Sequence, residues 1–461
     1  GDVIYNHDGD SRAIPASNNK IQTSAAAMSV LGGDYTFKTD AASAAEPSGG
    51  VLGGDLFLRG TGDPSMLAED YNALAKQIAD AGVTTVEGDL VADDTAYDAV
   101  RLGTEWGWDD LPYYYAPETS ALNVAADGDF NAGSVNITVE PGASEGDEAK
   151  VTVTPETAHI TVDNSATTGA AGGELSVDVN RPLGSNEFSV SGQIPADGEA
   201  DVWAMSVSNP TGYAATVFRE ALEANGVTVT GDVRQGEATP DDAASLAAHD
   251  SAPMSELVVS FMKLSNNSLG ESFLKAMGRE AGGEGSFSAG AEAVKEAMNS
   301  LNVNTDNLRQ VDGSGMSRQN LVSPTQLTEM LVGARGQDWY DAWYDAMPIA
   351  CESDPMVGGT LASRMCDTPA AGNVHGKTGS MTSVSALSGY VTDGDDRELV
   401  FSIVNNDYLA DTVKDLEDKI AVTIASHSQA EAATTQDIEV PQPENPLPTD
   451  KECTWVRPVA C

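Results

Sequence analysis

The stretch Pro-Ala-Ser-Asn-Asn-Lys at residues 15–20 leads into an alanine-rich segment, Ile21 to Leu31, that is followed by two glycines. Polar residues before an apolar run, with glycine after it, predict a helix with a defined start and end. Ser17 and Lys20 are three positions apart, so a helix brings both side chains to one face. An amine beside a serine can act as its base, which makes Ser17 a candidate nucleophile and Lys20 its candidate proton acceptor.

Two further segments match the same Ser-x-x-Lys pattern, at residues 260–263 and 272–275. Both lie in an amphipathic pattern that predicts continuous helix from Met254 to Arg279. The backbone N–H groups around a serine inside a helix are used within that helix and cannot stabilise an oxyanion. We therefore interpret Ser260 and Ser272 as structural, and Ser17 as the serine that a strand-to-helix turn exposes.

Two other short motifs complete a set. Ser265-Asn266-Asn267 has the form Ser-x-Asn, and Lys377-Thr378-Gly379 follows later in the chain. On an edge strand, the second motif offers a cation for a carboxylate, a hydroxyl beside it and a glycine that permits close backbone approach. The three motifs in this order are typical of penicillin-binding proteins and class A β-lactamases. The gap between residues 17 and 265 is far longer than in ordinary β-lactamases, so a large insertion is expected there.

The stretches that carry a closer resemblance are GTGDP at 60–64, MKLSNN at 262–267, DGSG at 312–315 and ALSGYV at 386–391. On these and on the three motifs, the chain up to about Ser426 resembles the DacB-like class C low-molecular-mass penicillin-binding proteins, above all their actinomycete branch. The resemblance implies a serine-type D-Ala-D-Ala carboxypeptidase or endopeptidase. Such an enzyme cleaves peptidoglycan stem peptides through an acyl-enzyme, is inhibited by β-lactams, and uses no metal or cofactor.

The expected fold is a multi-domain α/β protein. Residues 1–48 and 246–428 should form a penicillin-binding domain, like that of serine β-lactamases and DD-peptidases, with an antiparallel sheet flanked by helices. Residues 49–126 and 200–245 should form an inserted α/β domain, and 127–199 an inserted all-β domain, because short Val/Thr/Ile alternations separated by turn residues occur there. Residues 429–461 read as an acidic, proline-rich tail. Val3-Ile4-Tyr5 resembles one strand of a hairpin.

The resemblance also implies a role for each motif residue. Ser265 would relay a proton to the leaving group, Asn267 would hold the substrate amide, and Lys377 with Thr378 would bind the terminal carboxylate. The backbone N–H groups of Ser17 and Ser380 would form the oxyanion hole. The implied substrate-binding set is completed by Gly379, Ser314, Met316, Met381 and Thr382.

A side-chain pocket is a further expectation. Many actinomycete stem peptides carry diaminopimelate, whose free end bears both an ammonium and a carboxylate. By resemblance, Asp110 and Tyr115 would meet the ammonium, Arg318 would meet the carboxylate, and Met316 and Met381 would line the slot. Each charge needs an opposite partner, because an unpaired buried charge is costly.

The charge composition of the chain limits the kinds of partner that it can bind. With 24 basic and 71 acidic residues, the net charge is −47. Such a surface repels nucleic acid and favours solubility in a salty or extracellular medium. No apolar run is long enough to span a membrane. The four cysteines favour two local disulfides, Cys351–Cys366 and Cys453–Cys461, on proximity alone. Disulfides indicate an oxidising compartment outside the cytoplasm, and without a recognisable signal peptide the chain reads as a mature or truncated product.

Two other functions remain open at this stage. A β-lactamase would need a group that activates the deacylating water, and the sequence offers no obvious candidate. A catalytically idle peptidoglycan-binding or scaffold protein could keep the fold, although all three motifs are intact. No Gly-x-Ser-x-Gly elbow occurs, and the histidines show no triad signature, so His375 beside the Lys-Thr-Gly motif is interpreted as structural.

Overall fold

The computed structural model describes residues 2–428. The predicted tail and the predicted Cys453–Cys461 pair lie outside these residues. The α-helices are α1 (Asn19–Val30), α2 (Ala68–Asp80), α3 (Pro210–Ala224), α4 (Met254–Lys263), α5 (Asn267–Gly282), α6 (Phe287–Ser300), α7 (Pro324–Ala334), α8 (Tyr340–Asp345), α9 (Pro355–Gly358) and α10 (Lys414–Ala425). Two 3₁₀ turns cover Ala16–Asn18 and Gly359–Leu361.

The strands are short in the middle of the chain and longer near its end. They are β1 (Lys38–Ser43), β2 (Val51–Leu52), β3 (Leu56–Gly60), β4 (Thr85–Val86), β5 (Leu90–Asp93), β6 (Ser134–Glu140), β7 (Lys150–Thr154), β8 (Thr161–Asn164), β9 (Thr167–Gly169), β10 (Asp178–Asn180), β11 (Glu187–Ser191), β12 (Gln193–Pro195), β13 (Asp201–Ser206), β14 (Thr228–Val229), β15 (Val233–Gln235), β16 (Ala244–Asp250), β17 (His375–Met381), β18 (Val384–Thr392) and β19 (Glu398–Asn406).

The chain forms two compact units. Within the described residues, the first unit comprises 2–35, 103–106 and 253–428, and the second comprises 36–102 and 107–252. Residues 36–48 and 246–252, which we expected in the penicillin-binding domain, belong to the second unit because β1 pairs with β3 on one side and with β16 on the other. The finer division into three domains stays a prediction.

The first unit is built on an antiparallel sheet in the order β17-β18-β19. Side chains of β18 alternate between the two faces of this sheet. Leu387 and Val391 lie in an apolar cluster with Ala421 and Val422 of α10. Tyr390 faces the other way, and its hydroxyl donates to the Leu331 carbonyl of α7 at 2.6 Å. Because helices cover both faces, β18 is buried along nearly its whole length.

The helical part of the first unit corrects one prediction. The pattern from Met254 to Arg279 is not one helix, since α4 ends at Lys263 and α5 begins at Asn267. Ser265 between them has φ +56°, a left-handed conformation that ends the first helix. Phe261 of α4 then contacts Phe273 of α5 edge-to-face, with ring centroids 5.2 Å apart. The amphipathic pattern continues across the break because α4 and α5 each bury an apolar face.

The second unit contains a mixed five-stranded sheet in the order β15-β5-β3-β1-β16 and several smaller sheets. The apolar pattern of the sequence predicts a strand at Leu56–Leu58 and a helix near Leu67–Ala81, and β3 and α2 confirm both. The same pattern predicts one strand near Val86–Val91, which is wrong, because β4 and β5 are separate and join different sheets. Residues 134–195 are all β-strand and turn, as the alternating pattern predicted.

Two further predictions lie in the first unit. Val3, Ile4 and Tyr5 do not form a strand, because no described strand pairs with them and 77%, 62% and 82% of their surfaces are exposed. The Cys351–Cys366 disulfide is confirmed, with a Cα–Cα distance of 5.0 Å. Among the described residues, no helix has both the length and the apolar character needed to cross a bilayer.

Candidate active site

Ser17 lies in the 3₁₀ turn that leads directly into α1. Ala16 before it has φ +47°, which alanine rarely adopts. A Cβ on Gly315 would lie 2.0 Å from the Ala16 carbonyl oxygen, so only glycine lets residue 315 pass behind the turn. Backbone outliers of this kind concentrate at functional sites, where the surrounding structure holds them in place.

Lys20 is fully buried on the first turn of α1 and contacts three oxygen atoms. Its Nζ donates to Ser17 Oγ at 2.8 Å, to Asn267 Oδ1 at 2.7 Å and to the Ser314 carbonyl at 2.8 Å. An ammonium has three N–H bonds and can donate to all three of these acceptors. A neutral amine has two, and it would donate to Asn267 and Ser314 while its lone pair faces the Ser17 hydroxyl. The contacts therefore accommodate Lys20 both before and after it takes a proton from Ser17.

The Ser-x-Asn motif occupies the sharp turn between α4 and α5. The Asn266 side chain accepts a hydrogen bond from Leu269 N at 3.0 Å and so caps α5. Ser265 Oγ accepts from Lys377 Nζ at 2.9 Å. Asn267 reaches Lys20, as described above. One turn thus presents two neighbouring side chains to two different lysines, and the left-handed Ser265 makes this possible.

The Lys-Thr-Gly motif lies on β17, which is an edge strand of the sheet β17-β18-β19 and lies beside the Ser17 turn. Asn18 Nδ2 donates to the Lys377 carbonyl at 2.8 Å and holds the turn against the strand. A Cβ on Gly379 would lie 2.6 Å from the Pro15 carbonyl oxygen and 3.0 Å from Ser17 N. Glycine is therefore required for this close approach. Ser380 follows, and its buried Oγ has no hydrogen-bond partner in the described part of the chain.

Two acidic residues hold the loop at 312–317, namely Asp312, which belongs to the Asp-Gly-Ser-Gly stretch, and Glu271, which the sequence pattern did not single out. Glu271 of α5 accepts from Gly313 N at 2.7 Å and from Ser314 N at 2.9 Å. Asp312 accepts from Gly315 N at 2.9 Å, and from Trp106 Nε1 at 3.0 Å. Both carboxyl groups are buried. Burial, and then the neighbouring Asp312 carboxylate, raises the pKa of Glu271 to about 8.

These two residues connect distant parts of the sequence to the site. Glu271 fixes the amide of Ser314, and the carbonyl of the same residue accepts from Lys20. The motif Asp-Gly-Ser-Gly at 312–315 was a signal for this loop in the sequence. Nothing in the local pattern around Glu271 distinguished it from other acidic residues of an amphipathic helix.

The remaining substrate-binding candidates divide between the two units. In the first unit, Met316 and Met381 are half-buried, and exposed Arg318 donates from Nη2 to the Thr382 carbonyl at 2.6 Å. In the second unit, Tyr115 donates from its hydroxyl to Asp110 Oδ1 at 3.0 Å. Burial, followed by the Asp110 charge, raises the pKa of Tyr115, so the phenol keeps its proton.

The residues interpreted as structural have structural contacts. Ser260 and Ser272 are buried within α4 and α5. Lys263 donates to the carbonyls of Met347 and Val357 and so joins α4 to the segment that follows α8. The His375 ring stacks on Tyr344 with centroids 4.4 Å apart, and burial lowers the pKa of His375 to about 4.

The chain is similar to known proteins along nearly its whole length. Residues 1–427 match the family model described as D-Ala-D-Ala carboxypeptidase 3 (S13) family. The D-alanyl-D-alanine carboxypeptidase of Actinomadura sp. (strain R39) is 44% identical over 94% of this chain and 80% of that protein.

Solved structures support the same relationship. Penicillin-binding protein 4 of Haemophilus influenzae superposes with a TM-score of 0.79 at 25% identity, over 92% of this chain and 94% of that chain. Its complex with a β-lactam gives a TM-score of 0.74 at 25% identity, over 91% and 92% of the two chains. The expected multi-domain α/β fold is confirmed. Sequence, fold and the spacing of the motifs agree, and the chain belongs to the D-Ala-D-Ala carboxypeptidase 3 (S13) family of serine-type peptidases.

Proposed function

We propose that Ser17 attacks the peptide bond between two terminal D-alanine residues of a peptidoglycan stem peptide and becomes acylated. The observation that carries this proposal is the set of contacts that Lys20 Nζ makes with Ser17 Oγ, Asn267 Oδ1 and the Ser314 carbonyl. The last two acceptors orient a neutral amine so that its lone pair receives the Ser17 proton. A positioned general base of this kind contributes about 10²- to 10⁴-fold to the rate.

The proton and charge movements follow from the neighbouring groups. As Ser17 Oγ bonds to the carbonyl carbon, negative charge develops on the carbonyl oxygen, where the N–H groups of Ser17 and Ser380 would stabilise it. The C–N bond then breaks, and the departing D-alanine needs a proton on its nitrogen. Ser265, which accepts from Lys377, would pass its hydroxyl proton to that nitrogen and regain a proton from the Lys20 ammonium, which carries the one taken from Ser17. Water attacks the acyl-enzyme in the second half of the reaction and regenerates Ser17.

Lys377 and Thr378 would bind the terminal carboxylate of the substrate. Lys377 is buried, and its charge is close to Ser265 Oγ. A buried cation gains most from an anionic partner, because charge–charge attraction is stronger where water is excluded. The same site would bind β-lactams, which carry a carboxylate near the bond that is attacked.

Specificity for the side chain of the stem peptide would come from Asp110 and Tyr115 toward an ammonium and from Arg318 toward a carboxylate. The hydrogen bond between Tyr115 and Asp110 supports this assignment, since it fixes the carboxylate that would receive the cation. Met316 and Met381, which are half-buried, would supply apolar walls. The disulfide and the peptidoglycan substrate together support a location outside the cytoplasm.

Release of D-alanine from an acylated peptide that ends in D-Ala-D-Ala tests the proposal. Ser17→Ala should remove measurable release, and Lys20→Met should lower kcat by about 10²- to 10⁴-fold because the base is lost. Ser260→Ala is the matched control, since it truncates another serine of a Ser-x-x-Lys match and should leave the rate within a few-fold. Normal turnover by Ser17→Ala would exclude Ser17 as the nucleophile.

A further inference from the structure

A disulfide-closed segment, residues 351–366, carries one side chain to the Lys-Thr-Gly motif. The Cys351–Cys366 bond closes this segment at its base. Arg364 near its end is buried and donates from Nε to Asp418 Oδ1 at 2.9 Å, and from Nη2 to Glu417 Oε2 at 3.2 Å. The covalent link and the buried ion pairs with α10 hold both ends of the segment in the first unit.

The middle of this segment lies against the active-site strand. The 3₁₀ turn Gly359–Leu361 contains Thr360, whose Oγ1 accepts from Thr378 Oγ1 at 2.7 Å. Gly359 has φ +52°, and a Cβ there would lie 2.5 Å from the Lys263 carbonyl oxygen. This glycine therefore lets the turn approach the end of α4. The Val357 carbonyl, also in this segment, accepts from Lys263 Nζ at 2.7 Å.

We propose that Thr360 is a positioning residue, which acts through Thr378 to set the direction of the hydroxyl that binds the substrate's terminal carboxylate. The inference rests on the proposed role of Thr378 and deepens it. Each hydroxyl can donate one hydrogen bond and accept two. When a carboxylate is bound, Thr378 donates to the carboxylate and accepts from Thr360, so the hydrogen bond between the two threonines reverses. Hydrogen bonds in such a chain strengthen one another.

This role predicts an effect confined to substrates with a free carboxylate. Without the Thr360 hydroxyl, Thr378 Oγ1 loses a hydrogen-bond donor when its own proton turns toward the substrate carboxylate. The loss should weaken one charge-assisted hydrogen bond rather than the attack by Ser17. We therefore expect KM to rise for a D-Ala-D-Ala peptide with a free terminal carboxylate, with little change for the same peptide as its primary amide.

The experiment compares kcat/KM for the free-acid and the amide peptide in Thr360→Val, Thr360→Ser and wild-type protein. In Thr360→Val, the acid-to-amide ratio should fall by about tenfold, the effect of weakening a hydrogen bond to a charged group. Thr360→Ser should restore the ratio, because it restores the hydroxyl. Thr305→Val is the matched control, since Thr305 donates to Asn299 Oδ1 at the same 2.7 Å elsewhere in the first unit.

Two outcomes would overturn the inference. An unchanged ratio in Thr360→Val would show that Thr360 does not act on carboxylate binding, and equal losses on both substrates would indicate a merely structural role. Thr378→Val separates this result from failure of the proposed function. If Thr378→Val lowers the ratio and Thr360→Val does not, only the inference fails. If Thr378→Val also leaves the ratio unchanged, the carboxylate site itself is wrongly assigned.

Discussion

At the scale of single residues, Glu271 is a carboxyl group whose ionisation is changed by its surroundings. Its carboxyl is buried and close to Asp312, which raises its pKa from the usual 4.5 to about 8. A carboxyl whose pKa is raised by folding stabilises the fold while it is protonated in both states, below pH 4.5. That contribution is lost as the pH rises through 8, because the unfolded chain then ionises more easily.

Glu271→Gln keeps the shape of the side chain but cannot ionise. The free energy of unfolding of the variant should therefore fall less than that of the wild type between pH 5 and pH 9, as measured by urea titration at each pH. Glu280→Gln, an exposed residue on the same helix, serves as control and should follow the wild-type curve. If the Glu271→Gln and wild-type curves are parallel across this range, the buried carboxyl does not carry the pH dependence.

The residues of the motifs could be predicted from sequence, whereas those that support them could not. Ser17 and Lys20 are joined by helical spacing, so their contact follows from a local rule. Glu271 and Thr360 touch the site through residues 42 and 18 positions away in the chain. Their roles depend on tertiary contacts, which no local pattern in one sequence encodes.

At the scale of elements, the loop at 107–116 is held by a buried arginine. Arg181 donates from Nη2 to the Leu111 carbonyl at 2.8 Å and to Ser206 Oγ at 2.7 Å. Leu111 directly follows Asp110, so these contacts fix the backbone beside the proposed side-chain reader. Tyr113 and Tyr115 stack with centroids 5.7 Å apart, which adds to the rigidity of the loop.

This loop predicts a selective effect. Asp110→Asn removes the negative charge, so a substrate with a free ammonium on its side chain should lose its advantage over the N-acetylated form by about tenfold or more. The measurement is kcat/KM for both substrates. Asp109→Asn, at the exposed neighbouring position, is the control and should keep the preference. Equal slowing of both substrates by Asp110→Asn would mean that Asp110 does not read the side chain.

The helices and strands show where periodicity succeeds and where it fails. The spacing of apolar residues located α2, which buries one face, whereas α1 is buried on all sides and was located by the polar residues before it and the glycines after it. The same spacing of apolar residues continues across the turn between α4 and α5, because both helices are amphipathic. It therefore predicted one helix instead of two. The left-handed Ser265 that causes the break is invisible to hydrophobicity, although it positions the Ser-x-Asn motif.

At the scale of the whole molecule, the acidic composition and the chemistry are separate features. The net charge of −47 favours solubility and disfavours anionic partners. The two lysines of the proposed mechanism are buried within the first unit, where nearby oxygen atoms rather than the net charge determine their behaviour. The family relationship extends over residues 1–427, so both units belong to the protein that carries the activity.

The location of a covalent penicilloyl group tests the central claim most directly. Intact protein incubated with benzylpenicillin should gain the mass of one penicilloyl group, and peptide mapping should find it on Ser17. The adduct should persist, because a DD-peptidase hydrolyses its penicilloyl ester slowly. Rapid turnover of benzylpenicillin would indicate a β-lactamase. Ser17→Ala should remain unlabelled, while Ser272→Ala should be labelled like the wild type. A penicilloyl group on Ser260 or Ser272, or on Ser17→Ala protein, would contradict the account.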